Sequence, residues 1–134
     1  MEHDPVADEL AVRNVIAALS RTADGPDVDA YVALFAPDAS WELPGTVRRG
    51  HDDIRAGSLE RRAAGEVGPG SGTRHVTTTT VVTLDGDRAA AASTWLFLED
   101  TTGTPTVARV GTYDDELVRH EGRWLLARRV IGFG

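Results

Sequence analysis

The sequence predicts an α+β domain in which N-terminal helices pack across one face of a strongly curved antiparallel sheet. Three observations lead to this class. Helical periodicity is confined to the first half of the chain, long runs rich in Thr and Val fill the second half, and short turns separate those runs. Helices followed by strands indicate α+β rather than an alternating βαβ pattern. The length of 134 residues predicts a single domain over residues 1–134.

Three helices are predicted ahead of the long strands. The first carries an apolar stripe at helical spacing, made of Val12, Val15, Ile16, Leu19 and Ala23. The segment Asp24-Gly25-Pro26-Asp27 interrupts it. Its last residue is expected to cap a short second helix that continues to about residue 35, and Pro37 is expected to end that helix. The third helix is expected over residues 50–64.

Strands are predicted from runs of β-branched and alternating residues, at positions 39–43, 74–84, 88–99, 106–120 and 123–131. Turn residues separate the long ones, as at Asp85-Gly86-Asp87 and Glu121-Gly122. A glycine-rich loop over residues 65–72 separates the third helix from these strands. A curved sheet closed by helices encloses a concave interior, and ligands bind in such interiors.

The composition excludes several classes of protein and of site. The formal net charge of −7 repels phosphate backbones, so no nucleic-acid partner is expected. The absence of cysteine excludes disulfides and thiolate ligands for zinc. No apolar run approaches the roughly 20 residues of a membrane span, and the acidic start of the sequence differs from a secretory signal. A cytoplasmic protein without a membrane partner is therefore expected.

Four segments, in order along the chain, carry a resemblance to a known family. Residues 24–39 contain Asp27-Val28-Asp29 and end in Leu-Phe-Ala-Pro-Asp-Ala, residues 50–54 read Gly-His-Asp-Asp-Ile, residues 73–76 read Thr-Arg-His-Val, and residues 111–129 form a closing hairpin. Together they resemble the SnoaL-like members of the nuclear transport factor 2-like superfamily, and within it the scytalone-dehydratase-like branch. The resemblance implies a cone-shaped α+β barrel that encloses a small apolar molecule and forms a homodimer.

The resemblance also implies a catalytic pair, Asp24 at the end of the first helix and His75 on a central strand. Histidine accepts and returns a proton near neutral pH, and a carboxylate bonded to one ring nitrogen fixes its tautomer. The alternative is a buried structural pair, which the sequence leaves open. Asp27 and Asp29 are interpreted as capping or turn residues. The tyrosine that precedes the aspartate in that branch is Ala23 here.

Further residues are expected around the pocket. Tyr113, on a strand that faces the pocket, is the candidate for polarising the substrate as a third catalytic residue. The candidates for binding the substrate are Tyr31, Trp41, Trp95, Phe97 and Thr77. Aromatic side chains also fill protein cores, so the pocket-wall and core interpretations of these residues overlap. Trp124 is expected in the core alone.

Two arginines have weaker assignments. Arg129 follows large apolar residues and is expected to pair with a buried acid such as Glu9 or Asp24, the alternative being a solvent-exposed side chain. Arg74 precedes His75, and strand alternation places its side chain on the opposite face of the sheet.

Three functions fit this pattern. The first is a cofactor-independent enzyme that dehydrates, isomerises or cyclises a small apolar molecule, which the resemblance implies to be a polyketide or another secondary metabolite. The second is an epoxide hydrolase, whose Asp–Arg–Asp relay needs a second buried aspartate that the sequence does not obviously offer. The third is a non-catalytic binding or dimerisation module. No metal or cofactor is expected, because His3, His51 and His120 do not form a ligand set with His75 and no nucleotide-binding loop is present.

Overall fold

The computed structural model describes residues 3–134. Its helices are α1 (Pro5–Asp24), α2 (Val28–Val32) and α3 (Gly50–Ala63). The Asp4 carboxylate accepts a hydrogen bond from the Val6 N–H at 2.9 Å, and the Asp27 carboxylate accepts one from the Ala30 N–H at 3.1 Å. These caps satisfy amide groups that lack partners in the first turn of a helix. The predicted capping role of Asp27 is confirmed.

The sheet is made of β1 (Phe35–Leu43), β2 (Thr46–Arg49), β3 (Arg74–Asp85), β4 (Arg88–Glu99), β5 (Thr106–His120) and β6 (Arg123–Phe133). Across the sheet the order is β2-β1-β6-β5-β4-β3. Neighbouring strands are antiparallel except β1 and β6, which run parallel. The predicted fold class is confirmed, with the correction that the sheet is mixed rather than wholly antiparallel.

The segment around Pro37 differs from the prediction. Helix α2 ends at Val32, and Pro37 lies inside β1 rather than ending a helix. A proline cannot donate to a strand ladder, so it is tolerated where the ladder is interrupted. The pairing of β1 with β6 shifts register between Phe35 and Ser40, and that interruption spans Pro37. The short strand β2, which pairs with β1 across the Pro44-Gly45 turn, was not predicted.

The core lies between α1 and the concave face of the sheet. The predicted stripe on α1 buries Val12, Ile16 and Leu19, and Val15 and Ala23 pack partly buried beside them. The largest fully buried side chains of the sheet are those of Phe35, Leu117 and Leu126. Within residues 3–134, no helix combines the length and apolar character needed to cross a membrane.

Irregularities in the long strands bend the sheet around this core. The β3–β4 register shifts between Thr78 and Val81, where Thr79 adopts a left-handed φ of 52°. Such bulges bend a strand and increase its twist. Arg13 of α1 donates a hydrogen bond to the Thr80 carbonyl at 3.0 Å, next to this bulge. The helix is thereby attached to the sheet where the strand changes direction.

Candidate functional site

A cavity of about 560 Å³ opens between the concave face of the sheet, α3 and the loop that precedes β3. A smaller cavity of about 50 Å³ lies next to it. Their walls share residues from several elements, namely Trp41, Arg61, Val67, His75, Tyr113 and Ile131. Because the two cavities share these walls, we treat the smaller one as the inner end of the larger.

Asp24 is bonded twice to His75, which lines this cavity. Asp24 is the last residue of α1, and its Oδ1 lies 2.8 Å from the His75 Nδ1. Its Oδ2 accepts the backbone N–H of His75 at 3.0 Å. Both side chains are mostly buried, with 16% of Asp24 and 20% of His75 exposed. The carboxylate therefore fixes both the strand backbone and the ring.

The hydrogen-bond pattern assigns roles to the two ring nitrogens of His75. A carboxylate only accepts hydrogen bonds, so Nδ1 carries the proton that lies between it and Asp24. Neutral imidazole then has its lone pair on Nε2, the nitrogen not bonded to Asp24. His75 is among the residues that line the cavity, and Phe97 packs against the edge of its ring at a centroid distance of 5.1 Å. The ring is held on two sides with a basic nitrogen available.

Trp95 and Phe97 line the cavity from β4, and a glycine makes room for the larger ring. Gly111 lies opposite Trp95 on β5, where an added Cβ would come within 2.3 Å of the Trp95 Cζ2 and 2.1 Å of the Gly132 oxygen. The indole Nε1 donates to the Thr112 carbonyl at 3.1 Å. Trp95 thus forms a fixed apolar wall with its one polar atom satisfied.

Both tyrosines are buried beside this wall. Tyr113 lines both cavities, and burial raises its pKa to about 12 although the nearby Arg129 opposes that shift. Tyr31 lines the inner cavity, and burial raises its pKa as well. Trp41, also predicted to bind substrate, lines both cavities. The phenols are therefore neutral hydrogen-bond donors at physiological pH.

Arg129 pairs with Asp115, and not with Glu9 or Asp24 as the sequence suggested. Its Nε and Nη2 donate to the two carboxylate oxygens of Asp115 at 2.8 and 2.9 Å. The second buried aspartate, which the sequence did not obviously offer, is Asp115, whose side chain is 0% exposed. Burial lowers the pKa of Arg129, but attraction to Asp115 outweighs this effect and keeps the pKa above its ordinary range.

Among the predicted site residues, Asp24 is next to the cavity only through its bond to His75, and Thr77 lines neither cavity. Its hydroxyl lies 2.7 Å from the Ser20 Oγ and joins β3 to α1. Asp29 pairs with Arg55 on α3. Trp124 is buried in the core, as predicted.

Arg61 is a site residue that the sequence analysis missed. It lies on α3 and lines both cavities, with its guanidinium carbon 4.5 Å from the centre of the Trp41 ring. The helical spacing of Ile54, Ser58 and Arg61 was a signal that could have found it, and the structure buries Ser58 and Ile54, one and two turns earlier on the same face of the helix. Arg74, by contrast, is exposed and lines neither cavity.

The sequence of the chain matches the model of one protein family over most of its length. The model of the SnoaL-like domain matches residues 4–130. The chain belongs to this family. A search of curated proteins by sequence gives no match.

Solved structures of the same fold extend the comparison of this SnoaL-like domain. A protein of unknown function with a cystatin-like fold from Nostoc punctiforme has a TM-score of 0.86 at 22% identity, and the match covers 100% of this chain and 96% of that one. A protein from Novosphingobium aromaticivorans, named as a candidate aromatic ring hydroxylase, has a TM-score of 0.77 at 26% identity, covering 98% and 92%. A candidate scytalone dehydratase from the same organism has a TM-score of 0.75 at 18% identity, covering 96% and 85%.

Proposed function

We propose that this SnoaL-like domain is a cofactor-independent enzyme that moves a proton on a small, largely apolar molecule bearing a carbonyl or hydroxyl group. The single observation that carries the proposal is the 2.8 Å contact between the Asp24 carboxylate and the His75 Nδ1 at the wall of the cavity. A solved relative named as a candidate scytalone dehydratase supports the same class of chemistry.

In the proposed reaction, the His75 Nε2 removes a proton from the carbon next to a carbonyl group. The imidazolium formed is stabilised by Asp24, and the negative charge that develops on the carbonyl oxygen is stabilised by a hydrogen bond from Tyr113. The proton then returns to another atom. Its return to a departing hydroxyl gives dehydration, and its return to a different carbon gives isomerisation. Ring closure follows if the enolate carbon attacks a second carbonyl.

The walls support an apolar substrate of a few rings. Trp41, Trp95 and Phe97 offer flat surfaces, and the volume of about 560 Å³ lies in the range of small-molecule sites. A polyketide-like or other secondary metabolite fits these features. Asp115 gives the epoxide-hydrolase alternative little support, because it is absent from both cavity walls and its two oxygens are taken by Arg129.

The test is base-catalysed hydrogen–deuterium exchange at the α-carbon of 2-tetralone, a bicyclic ketone, followed by NMR in D₂O. His75→Ala should lower the protein-catalysed rate by roughly 10²–10⁴-fold, the usual contribution of a positioned acid/base group. The matched control is His120→Ala, because His120 is exposed near the β5–β6 turn. Equal rates for His75→Ala and the unaltered protein would contradict the proposal and favour a non-catalytic binding module.

A further inference from the structure

Arg61 differs from the other arginines that are partly or fully buried. Within residues 3–134, the others bond to carboxylates or to backbone carbonyls, namely Arg13, Arg48, Arg55, Arg62, Arg119 and Arg129. Arg61 forms neither kind of bond in that part of the chain, although it lies at the junction of the two cavities. A partly buried guanidinium that lacks a protein anion as its partner favours an anion supplied by a ligand.

An aromatic ring and a second arginine surround the Arg61 guanidinium, and that second arginine, Arg48, is already paired with Asp53 and Glu60. The Trp41 ring covers one side of the guanidinium, a contact that tolerates a cation without neutralising it. Gly57 faces it from the previous turn of α3, where an added Cβ would lie 3.2 Å from the Arg61 Nη1 and 3.0 Å from the Arg48 Nε. Two guanidinium groups are therefore crowded over one glycine. Burial is the main cause that lowers the pKa of Arg61; Tyr31 and Glu66 raise it, whereas Arg48 and Arg62 lower it further.

Among residues 3–134, the acidic residues that line the two cavities all belong to the larger one. They are Glu66, Glu99 and Asp100, and all three are exposed. Water and salt screen exposed charges effectively. None of the three lines the inner cavity, whose wall includes Arg61. The charge arrangement favours a ligand that directs its anionic group inward, toward α3.

We propose that Arg61 binds a carboxylate group on an aromatic ligand of this cavity. The inference rests on the proposed function only in using the same cavity, and it narrows the substrate class to aromatic carboxylic acids. The planar guanidinium can donate two parallel hydrogen bonds to the two carboxylate oxygens. Trp41 would stack on the arginine, and the ligand ring would lie against the aromatic walls near His75.

The experiment compares two probes of the same shape, 2-naphthoate and its neutral amide 2-naphthamide, by isothermal titration calorimetry. The unaltered protein should bind 2-naphthoate at least about tenfold more tightly, because a charge-assisted hydrogen bond is worth more than a neutral one. Arg61→Gln should reduce this preference to less than about twofold, because the loss of affinity falls mainly on 2-naphthoate. The matched control is Arg109→Gln, which removes an exposed arginine from the wall of the larger cavity and should keep the preference.

Three results would overturn the assignment. The first is that the unaltered protein prefers 2-naphthoate to 2-naphthamide by less than twofold, or binds neither probe. The others are that Arg61→Gln keeps this preference, or that Arg109→Gln loses it to the same extent. If Arg61→Gln loses both probes, Arg61→Lys decides, since it keeps the charge and must still prefer 2-naphthoate. These binding results do not depend on turnover. If the binding preference is absent but His75→Ala still slows the exchange reaction, the carboxylate site is wrong and the proposed function is retained. If the preference depends on Arg61 but His75→Ala exchanges at the unaltered rate, the proposed function is wrong and the carboxylate site is retained.

Discussion

Among single residues, Tyr113 contacts the buried Arg129 on one side and lines the cavity on the other. The guanidinium carbon of Arg129 lies 3.6 Å from the centre of its ring, while the same tyrosine lines both cavities. The Arg129–Asp115 pair on the neighbouring positions of β5 and β6 holds that guanidinium in place. Ring position and phenol acidity are thus set by buried groups, which suits a hydrogen-bond donor of fixed orientation.

The two tyrosines give this claim a pH test. The chain contains Tyr31 and Tyr113 and no other tyrosine. Burial raises the pKa of both, that of Tyr113 to about 12, from an ordinary value near 10. We predict little tyrosinate absorbance in the folded protein near pH 10.5, where the unfolded chain is largely ionised.

The raised pKa values of the two tyrosines also determine whether the folded state gains or loses stability as pH rises. Only the unfolded chain loses these protons readily above pH 10, so the folded state loses stability as pH rises from about 10 toward 12. Tyr113→Phe should make the free energy of unfolding less dependent on pH in that range. Spectrophotometric titration with and without denaturant checks both statements, and ionisation of both tyrosines near pH 10 in the folded protein would contradict them.

Some residues of the site could be predicted, and Asp115 illustrates why others could not. Counting back from the Glu121-Gly122 turn pairs Asp115 with Arg128, which is exposed. A bulge between Glu116 and Leu117 shifts the register by one residue, so that Asp115 lies opposite Arg129. A one-residue slip moves a side chain to the other face of a sheet. The bulge depends on tertiary packing, which no local signal in this hairpin reveals.

At the scale of elements, the start of α1 is attached to the far end of the β5–β6 hairpin by Asp8. Its carboxylate accepts hydrogen bonds from Arg119 at 2.8 and 2.9 Å and from the Trp124 Nε1 at 3.2 Å. The hydrogen bond from Arg119 is the largest cause that lowers the pKa of Asp8 to about 2, from 3.8. This attachment fixes one end of the helix whose other end carries Asp24.

Asp8→Asn should therefore lower the stability of the folded protein at neutral pH. Because the folded pKa lies below the unfolded one, the contribution of Asp8 is present above about pH 4 and is lost as pH falls toward 2. The variant should lose less stability over that range than the unaltered protein. Urea denaturation between pH 2 and 7 measures this difference.

The matched control is Asp87→Asn, since Asp87 bonds to the same Arg119 but is 72% exposed. Exposed pairs contribute little, so its effect should be small. Equal destabilisation by the two variants, or a pH dependence that Asp8→Asn leaves unchanged, would contradict the role given to Asp8.

For the molecule as a whole, the order and type of the helices and strands could be predicted because each element carries a signal in its own stretch of sequence. The stripe on α1, the capping Asp27 and the Asp85-Gly86-Asp87 turn are of this kind. The cavity is different, since its shape depends on how the bulged sheet, α3 and the loop over residues 64–73 meet. For that reason the sequence did not predict Arg61 and Val67 as residues of the cavity wall. The homodimer and the cytoplasmic location stay predictions of the sequence.

Asp24 keeps the His75 Nε2 free to act as a base, and the tautomer of the His75 ring tests this role. In Asp24→Asn the single amide oxygen must still accept the His75 backbone N–H, so the amide NH₂ faces Nδ1 and forces the proton onto Nε2. We would record the ¹⁵N NMR shifts of the His75 ring nitrogens above the pH at which imidazole is neutral. We expect a protonated Nδ1 in the unaltered protein and a protonated Nε2 in Asp24→Asn. A protonated Nε2 in both, or no change between them, would contradict this role.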